Sequence, residues 1–290
     1  MNSEQIARDQ KRLHAKKRSA KIAQYLLCIA VSAVMLFPMY WLITTSFKTA
    51  NNVMRFPPQW WPSPWTLKNY ITILVEKPFL HYMWNSIYIA ALVSFGVVIL
   101  CSLAGYAFAK IRFRGSMVLF LVVLSGMMMP IEVTIIPIFT ALSKMGLANS
   151  HFALIVAPMF GYSGAFGTFL MRQFFITVPD ELVQAGRLDG ASQWTIFTRI
   201  ILPLATSTIA TLVIFTFLQS WNDYLLPLVM LSDSSKYTLP LALKLLSNEN
   251  GIEWNLVMAA ATFSTMPILI VFFCCQKKFM ESLSMTGLKG

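Results

Sequence analysis

Six stretches of this 290-residue chain stay apolar for 18 residues or more and carry almost no charge. A helix of that length crosses a hydrocarbon core of about 30 Å. Lipid offers no hydrogen-bond partners, so each stretch must satisfy its own peptide groups, and a helix does so. The runs are Ile22 to Phe47, about Tyr82 to Ala109, Met117 to Leu142, Phe152 to Phe175, Leu204 to Leu231 and Leu256 to Cys275. The expected fold is an all-α integral membrane protein with six spans. Only 12% of the residues are charged, against about a quarter in a soluble chain.

The basic residues give the spans a polarity. Sixteen of the 23 fall on one side: the tail from Arg8 to Lys21, the link from Lys110 to Arg114, then Arg172, Arg187 and Arg199, then Lys277, Lys278 and Lys289. The other seven are Lys48, Arg55, Lys68, Lys77, Lys144, Lys236 and Lys244. By the positive-inside rule both termini are expected in the cytoplasm. This bias accounts for the net charge of +11 better than nucleic-acid binding does. Residues 1–21 then form a basic tail suited to anionic lipid, 22–276 a single transmembrane domain, and 277–290 a second cytoplasmic tail. Ile22 to Ala33 alone has the look of a signal-peptide core. The apolar run continues through Trp41, so an uncleaved first span is expected.

The connections are unequal. The stretch from Lys48 to His81 is rich in Trp and Pro, which suits an interfacial belt on the outer leaflet. A polar outer link runs from Ser232 to Asn255, and a long cytoplasmic loop spans 176–203. Cys28, Cys101, Cys274 and Cys275 show no metal-ligand spacing and read as small apolar packing residues. The histidines are scattered, and no Gly-rich loop ending in Gly-Lys-Ser/Thr is present, so neither catalysis nor a phosphate cradle is encoded.

The loop carries the most information. Pro179 followed by Asp180 and Glu181 is a helix start. Asp189-Gly190 is a stop, since glycine takes the left-handed conformation that ends a helix. A second helix then places Trp194, Phe197, Ile200 and Ile201 on one apolar face, and Pro203 marks entry into the fifth span. Ala185, Gly186 and Gly190 are small residues around the bend, with Leu182 and Leu188 beside them. This is either a docking knob or an ordinary amphipathic re-entry helix.

The loop resembles the Glu-Ala-Ala motif of ABC importer permeases. Gln184, Ala185, Gly186, Gly190, Ile200, Leu202 and Pro203 keep the spacing of that motif, with Gln184 in place of its Glu and Gly186 in place of its second Ala. Asp189-Gly190-Ala191 has the form usual in the carbohydrate branch. Trp221-Asn222-Asp223, Tyr237 to Pro240, Met129 to Glu132, Arg172 to Phe175 and Thr286 to Gly290 also look like sugar-permease signatures. The similarity is to the smaller maltose-type permease subunit, and it implies a type I importer permease fold in a bacterial or archaeal cell membrane. It further implies that the loop, through Leu182, Gln184, Ala185, Gly186, Asp189 and Gly190, fits a cleft on an ATP-hydrolysing subunit. ATP and Mg would belong to that partner and no cofactor to this chain. The implied partners are a second homologous permease, two ATPase copies and an extracytoplasmic solute-binding protein.

Ionisable residues inside spans are costly and face a cavity or a partner. Glu132, behind Pro130, either faces a translocation path or is a buried carboxylate satisfied around a kink. Trp221, Asn222 and Asp223 either line the outer mouth of a sugar path or, for Asp223, cap helix ends. In the outer link, Lys244, Asn248, Glu249 and Asn250 form either the tip that reaches the solute-binding protein or a plain solvated loop. The expected function is sugar or oligosaccharide import. Import of another small polar solute such as glycerol phosphate is the alternative, and an ion-coupled carrier acting alone is a further one. The last needs inverted repeats, and no convincing repeat is seen.

Overall fold

The computed structural model describes residues 3–246 and 253–287, and among these there is no strand. The main helices are α1 (Ser3–Ser46), α2 (Phe79–Lys110), α3 (Ser116–Ser125), α4 (Ile131–Lys144), α5 (His151–Phe160) and α6 (Tyr162–Thr177). They continue with α7 (Asp180–Leu188), α8 (Gln193–Leu204), α9 (Thr206–Asn222), α10 (Leu225–Met230), α11 (Leu239–Leu246) and α12 (Trp254–Gly287). The fold is that of an all-α, multi-pass membrane protein.

Three helices are individually long and apolar enough to cross a membrane: Lys17–Ser46 of α1, all of α2, and Trp254–Cys274 of α12. Two bent pairs add a crossing each if each is one span: α5 with α6, bent by 41°, and α8 with α9, bent by 77°. The third expected run is not one helix. It divides into α3 and α4, because Gly126 ends α3 and Pro130, extended at ψ 139°, can only begin the next helix. The bend between α8 and α9 falls at Ala205, just past Pro203, so the chain turns there from the loop into the fifth run.

Two compact units emerge. The first comprises Met1–Ile71 and Glu253–Thr262. In it, Asn69 donates to the carbonyls of Ser46 and Lys48, each at 2.8 Å, and accepts from Asn255. It thereby satisfies carbonyls left open where α1 ends. Lys48 is fully buried, donates to the Gln59 carbonyl at 2.6 Å and lies 4.1 Å from the Trp41 ring centroid. Trp60, Trp61 and Trp65 keep half or more of their surface exposed, as an interfacial belt requires.

The second unit holds Thr72–Ile252 and Phe263–Gly290. Its spine is the seam between α2 and α6. A Cβ on Gly105 would sit 2.7 Å from Met171 Cβ and 2.8 Å from the Arg172 nitrogen. One on Gly167 would sit 2.7 Å from Cys101 Sγ. Small residues let helices approach this closely, and dispersion and short polar contacts then hold them in lipid. The Cys101 thiol donates to the Gly164 carbonyl at 3.2 Å, so this cysteine is a packing residue, while Cys28 and Cys274 lie exposed. Arg172 caps the seam, its guanidinium 4.2 Å from the Phe120 ring of α3.

Because backbone atoms stand opposite Gly105, even one added carbon must push the helices apart. Gly105→Leu should lower stability by roughly 1–3 kcal/mol. The thermal midpoint of the protein purified in detergent measures this, and an unchanged midpoint would refute so tight a seam.

Candidate coupling site on the loop between α6 and α9

The loop folds as the order of its residues dictates. Pro179 precedes α7, and Asp180 and Glu181 occupy its first turn. At its end, Gly190 takes φ +74°. Its N–H donates to the Arg187 carbonyl at 3.0 Å, and the Ala191 N–H reaches back to Gly186 at 2.9 Å. These are the paired bonds of a Schellman cap, available because glycine pays no Cβ penalty in the left-handed region. The Ser192 hydroxyl then caps α8, accepting from the Thr195 N–H at 3.2 Å.

α8 differs from the expected apolar face. Ile196–Ile201 form a π-turn, which shifts the helix phase. Ile196, Phe197 and Ile201 are buried, Ile200 is half-buried, and Trp194 is 63% exposed. Gly186 also differs from its expected role. It is buried, and a Cβ there would lie 3.0 Å from Ile196 Cγ1 and 3.1 Å from Ile200 Cδ1. Its smallness serves the packing of α7 on α8 and not an outer surface. The outward surface consists of Leu182, Gln184, Ala185, Asp189 and Gly190, with Leu188 89% exposed at the tip.

Lys110, the last residue of α2, anchors the loop. It is almost wholly buried, and its ammonium donates to the Val178 carbonyl at 2.6 Å and to Asp180 Oδ1 at 2.5 Å. The bond from Lys110, then its charge, hold the Asp180 carboxyl below the ordinary aspartate range, with Arg112 adding a smaller pull. Tyr106 packs on Phe175 and Phe197, and its hydroxyl meets the Gln193 amide at 3.1 Å. With that amide turned to satisfy both neighbours, Gln193 accepts from Arg187 at 2.6 and 3.0 Å. Between α7 and the end of α2 lies a polar groove of about 580 Å³ bordered by Lys110, Arg112, Asp180, Gln184 and Arg187. The sequence treated Lys110 and Arg187 only as side-determining charges. Their partners lie 70 residues away for Lys110 and across a turn for Arg187.

The other expected site residues scatter. Trp221 is buried and stacked on Phe217, with centroids 5.7 Å apart. Asp223 caps α10, accepting from the Leu225 and Leu226 N–H groups at 3.0 and 3.2 Å. Asn222 is exposed but bonds its own helix at Leu218. Glu132 is exposed in the first turn of α4, so the buried, satisfied carboxylate around a kink is not observed. Lys244 is exposed on α11, while Asn248, Glu249 and Asn250 lie outside the described residues. The segment leading to α11 is firmly held. His81 and Asn85 meet the Ser235 carbonyl, Asn85 also donates to Tyr237, and His151 meets Lys236. Tyr88 in turn bonds His151.

Two tests follow. Nothing lies within 4 Å of a Cβ built on Gly190, so Gly190→Val adds no clash and only forces a left-handed valine, which should cost about 1–2 kcal/mol. Gly190→Asn should cost less, as read from thermal midpoints, and equal losses would refute the conformational cause. A lowered carboxyl value means the Lys110–Asp180 contribution is complete above the ordinary aspartate range and vanishes as the pH falls through the lowered value. The stability difference between wild type and Asp180→Asn should therefore be flat across neutral pH and shrink only in acid. A difference that changes around neutrality would contradict this.

Residues 101–283 match the family described as "binding-protein-dependent transport system inner membrane component". The chain is 33% identical to the arabinooligosaccharides transport system permease protein AraQ of Halalkalibacterium halodurans over 286 residues, 95% of this chain and 100% of that one. It is 32% identical to the sn-glycerol-3-phosphate transport system permease protein UgpE of Salmonella typhi over 275 residues, 92% of this chain and 97% of that one. A crystal structure of a bacterial ABC transporter that imports the acidic polysaccharide alginate contains a chain of the same fold, with a TM-score of 0.77 at 23% identity. The match covers 91% of this chain and 98% of that one. The chain thus belongs to the inner-membrane components of binding-protein-dependent ABC transporters, as a multi-pass permease subunit.

Proposed function

We propose that this permease subunit moves a sugar or oligosaccharide and that the α7–α8 loop is where ATP hydrolysis on another chain drives it. The observation that carries the coupling role is Leu188, an apolar side chain 89% exposed at the tip of a rigidly capped turn. Such a residue gains most by entering a cleft on a partner. Leu182 and Ala185 extend the same surface, and Gln184 meets the partner as an amide where the family motif has a carboxylate. Lys110 and the Tyr106–Gln193–Arg187 contacts tie the loop to α2, so movement of the knob is passed to the bundle.

In this reading the chain crosses the membrane six times, with α3 and α4 as one broken crossing, and both termini face the cytoplasm. It pairs with a second homologous permease and two ATP-hydrolysing subunits, which bind ATP and Mg. A solute-binding protein docks on the opposite face, near α11 and Lys244. The saccharide reading draws on the similarity to AraQ, whose name gives arabinooligosaccharides as its solute. The similarity to UgpE supports glycerol phosphate as a second reading.

Leu188→Glu places a charge at the contact without disturbing the cap, and Gly190→Trp obstructs the approach. In the assembled transporter both should insert normally yet lose solute uptake and solute-stimulated ATP hydrolysis by tenfold or more, since about 1.4 kcal/mol lost at the contact is a factor of ten. Uptake at the wild-type rate in either variant would remove the coupling assignment.

A further inference from the structure

The polar groove between α7 and the end of α2 opens where the chain leaves the membrane. α2 has 32 residues, and at 1.5 Å per residue it is about 48 Å long. A bilayer with its headgroup layers is about 40–45 Å thick, so the ends of α2 reach the headgroups. The link that follows is short. Residues 111–115 turn at Gly115, where φ is +82°, and the apolar helix α3 begins at once with Ser116. Ile111 and Phe113 in this link are 40% and 39% exposed, and Met117 and Val118 of α3 are more so. Apolar side chains so placed suit acyl chains, while basic ones between them suit lipid phosphates. The start of the loop is held at the same level, because the Lys110 ammonium bonds the carbonyl of Val178, one residue beyond α6.

The groove, of about 580 Å³, carries a surplus of positive charge. Three cations, Lys110, Arg112 and Arg187, border it against one carboxylate, Asp180. Lys110 is already committed to Asp180 by their ion pair, which leaves the two guanidinium groups. Arg112 is exposed in the link. Arg187 gives Nε and one Nη to the Gln193 amide and keeps further N–H groups for another partner. Gln184 stands one turn before Arg187 on the same rim and, as an amide, brings no second anion. Guanidinium forks match the paired oxygens of a phosphate group. Basic pockets beside spans at this depth are suited to anionic headgroups. Ala109, Ile111 and the buried Val183 supply an apolar side for the glycerol stem behind such a headgroup.

We infer that Arg112 and Arg187 bind the phosphate of an anionic phospholipid in this groove. The headgroup bridges the end of α2 and α7 alongside the Lys110–Asp180 pair, and Ile111 lies toward the acyl chains. The inference needs only that α2 spans the membrane. It stands whichever solute is moved and whichever chain meets the tip of the loop.

The test titrates the complete transporter, in neutral detergent, with phosphatidylglycerol and reads the lipid-bound fraction by native mass spectrometry. Arg112→Gln should weaken binding by about fivefold, the worth of one basic residue at the membrane surface. Gln184→Glu, which adds an anion to the rim, should weaken it too. Both residues are exposed, so neither change disturbs packing. Arg114→Gln, in the same link but not bordering the groove, should bind as the wild type does. Phosphatidylcholine should bind the wild type and Arg112→Gln alike. Equal weakening by Arg112→Gln and Arg114→Gln would replace the site with a diffuse basic surface. Displacement of the lipid by an equal concentration of inorganic phosphate would assign the groove to a soluble anion. Undiminished binding in both Arg112→Gln and Gln184→Glu would leave the groove to an acidic group of a neighbouring chain. Each of these three results overturns the lipid site.

Discussion

Close approach of α2 and α6 is the contact on which the second unit is built. Between helices in lipid there is little hydrophobic drive, so adhesion depends on how near the backbones come and on a few polar bonds. Gly105 and Gly167 remove the side chains that would hold the helices apart, and Cys101 adds a bond to the Gly164 carbonyl. Lys110 leaves the end of α2 to grip the start of the loop, which follows directly on α6. The loop is therefore held at the end of this seam by Lys110.

The loop itself divides its small residues between two tasks. Gly186 looks inward and lets α7 lie on the π-turn of α8, while Gly190 supplies the left-handed turn that fixes the angle between them. Ala185 and Leu188 are left exposed on the outer side. Replacing the usual carboxylate by Gln184 removes a charge from that surface. The polar groove beside it is bordered by Lys110, Arg112 and Arg187 against Asp180 alone. The outward face of the loop is thus apolar at Leu188 and flanked by positive charge.

Much of this was legible in the sequence for identifiable reasons. Three of the apolar runs form single helices long enough to cross a membrane, because lipid imposes a minimum length that the sequence shows directly. Pro179, Asp189-Gly190 and Pro203 marked the loop's corners because each residue type permits few backbone states. What stayed hidden depends on contacts between distant parts. The π-turn of α8 moved Trp194 outward and Ile196 inward, which a helical period cannot foresee. The break before α4 could be suspected at Pro130, but the packing of Gly126 beside Ala165 of α6 could not. Trp221 looked like a site residue by type, yet it fills the core, while Asp223 takes the helix-capping alternative and satisfies the first amides of α10.

The central claim is that the exposed tip of the loop enters another chain that hydrolyses ATP. A photo-activated cross-linker attached to Leu188→Cys in a transporter whose natural cysteines are replaced reports directly on what lies there. The account predicts capture of the ATP-hydrolysing subunit, with a yield that changes between the nucleotide-free and ATP-bound states. Capture of lipid alone, or no capture of that subunit in either state, would contradict it.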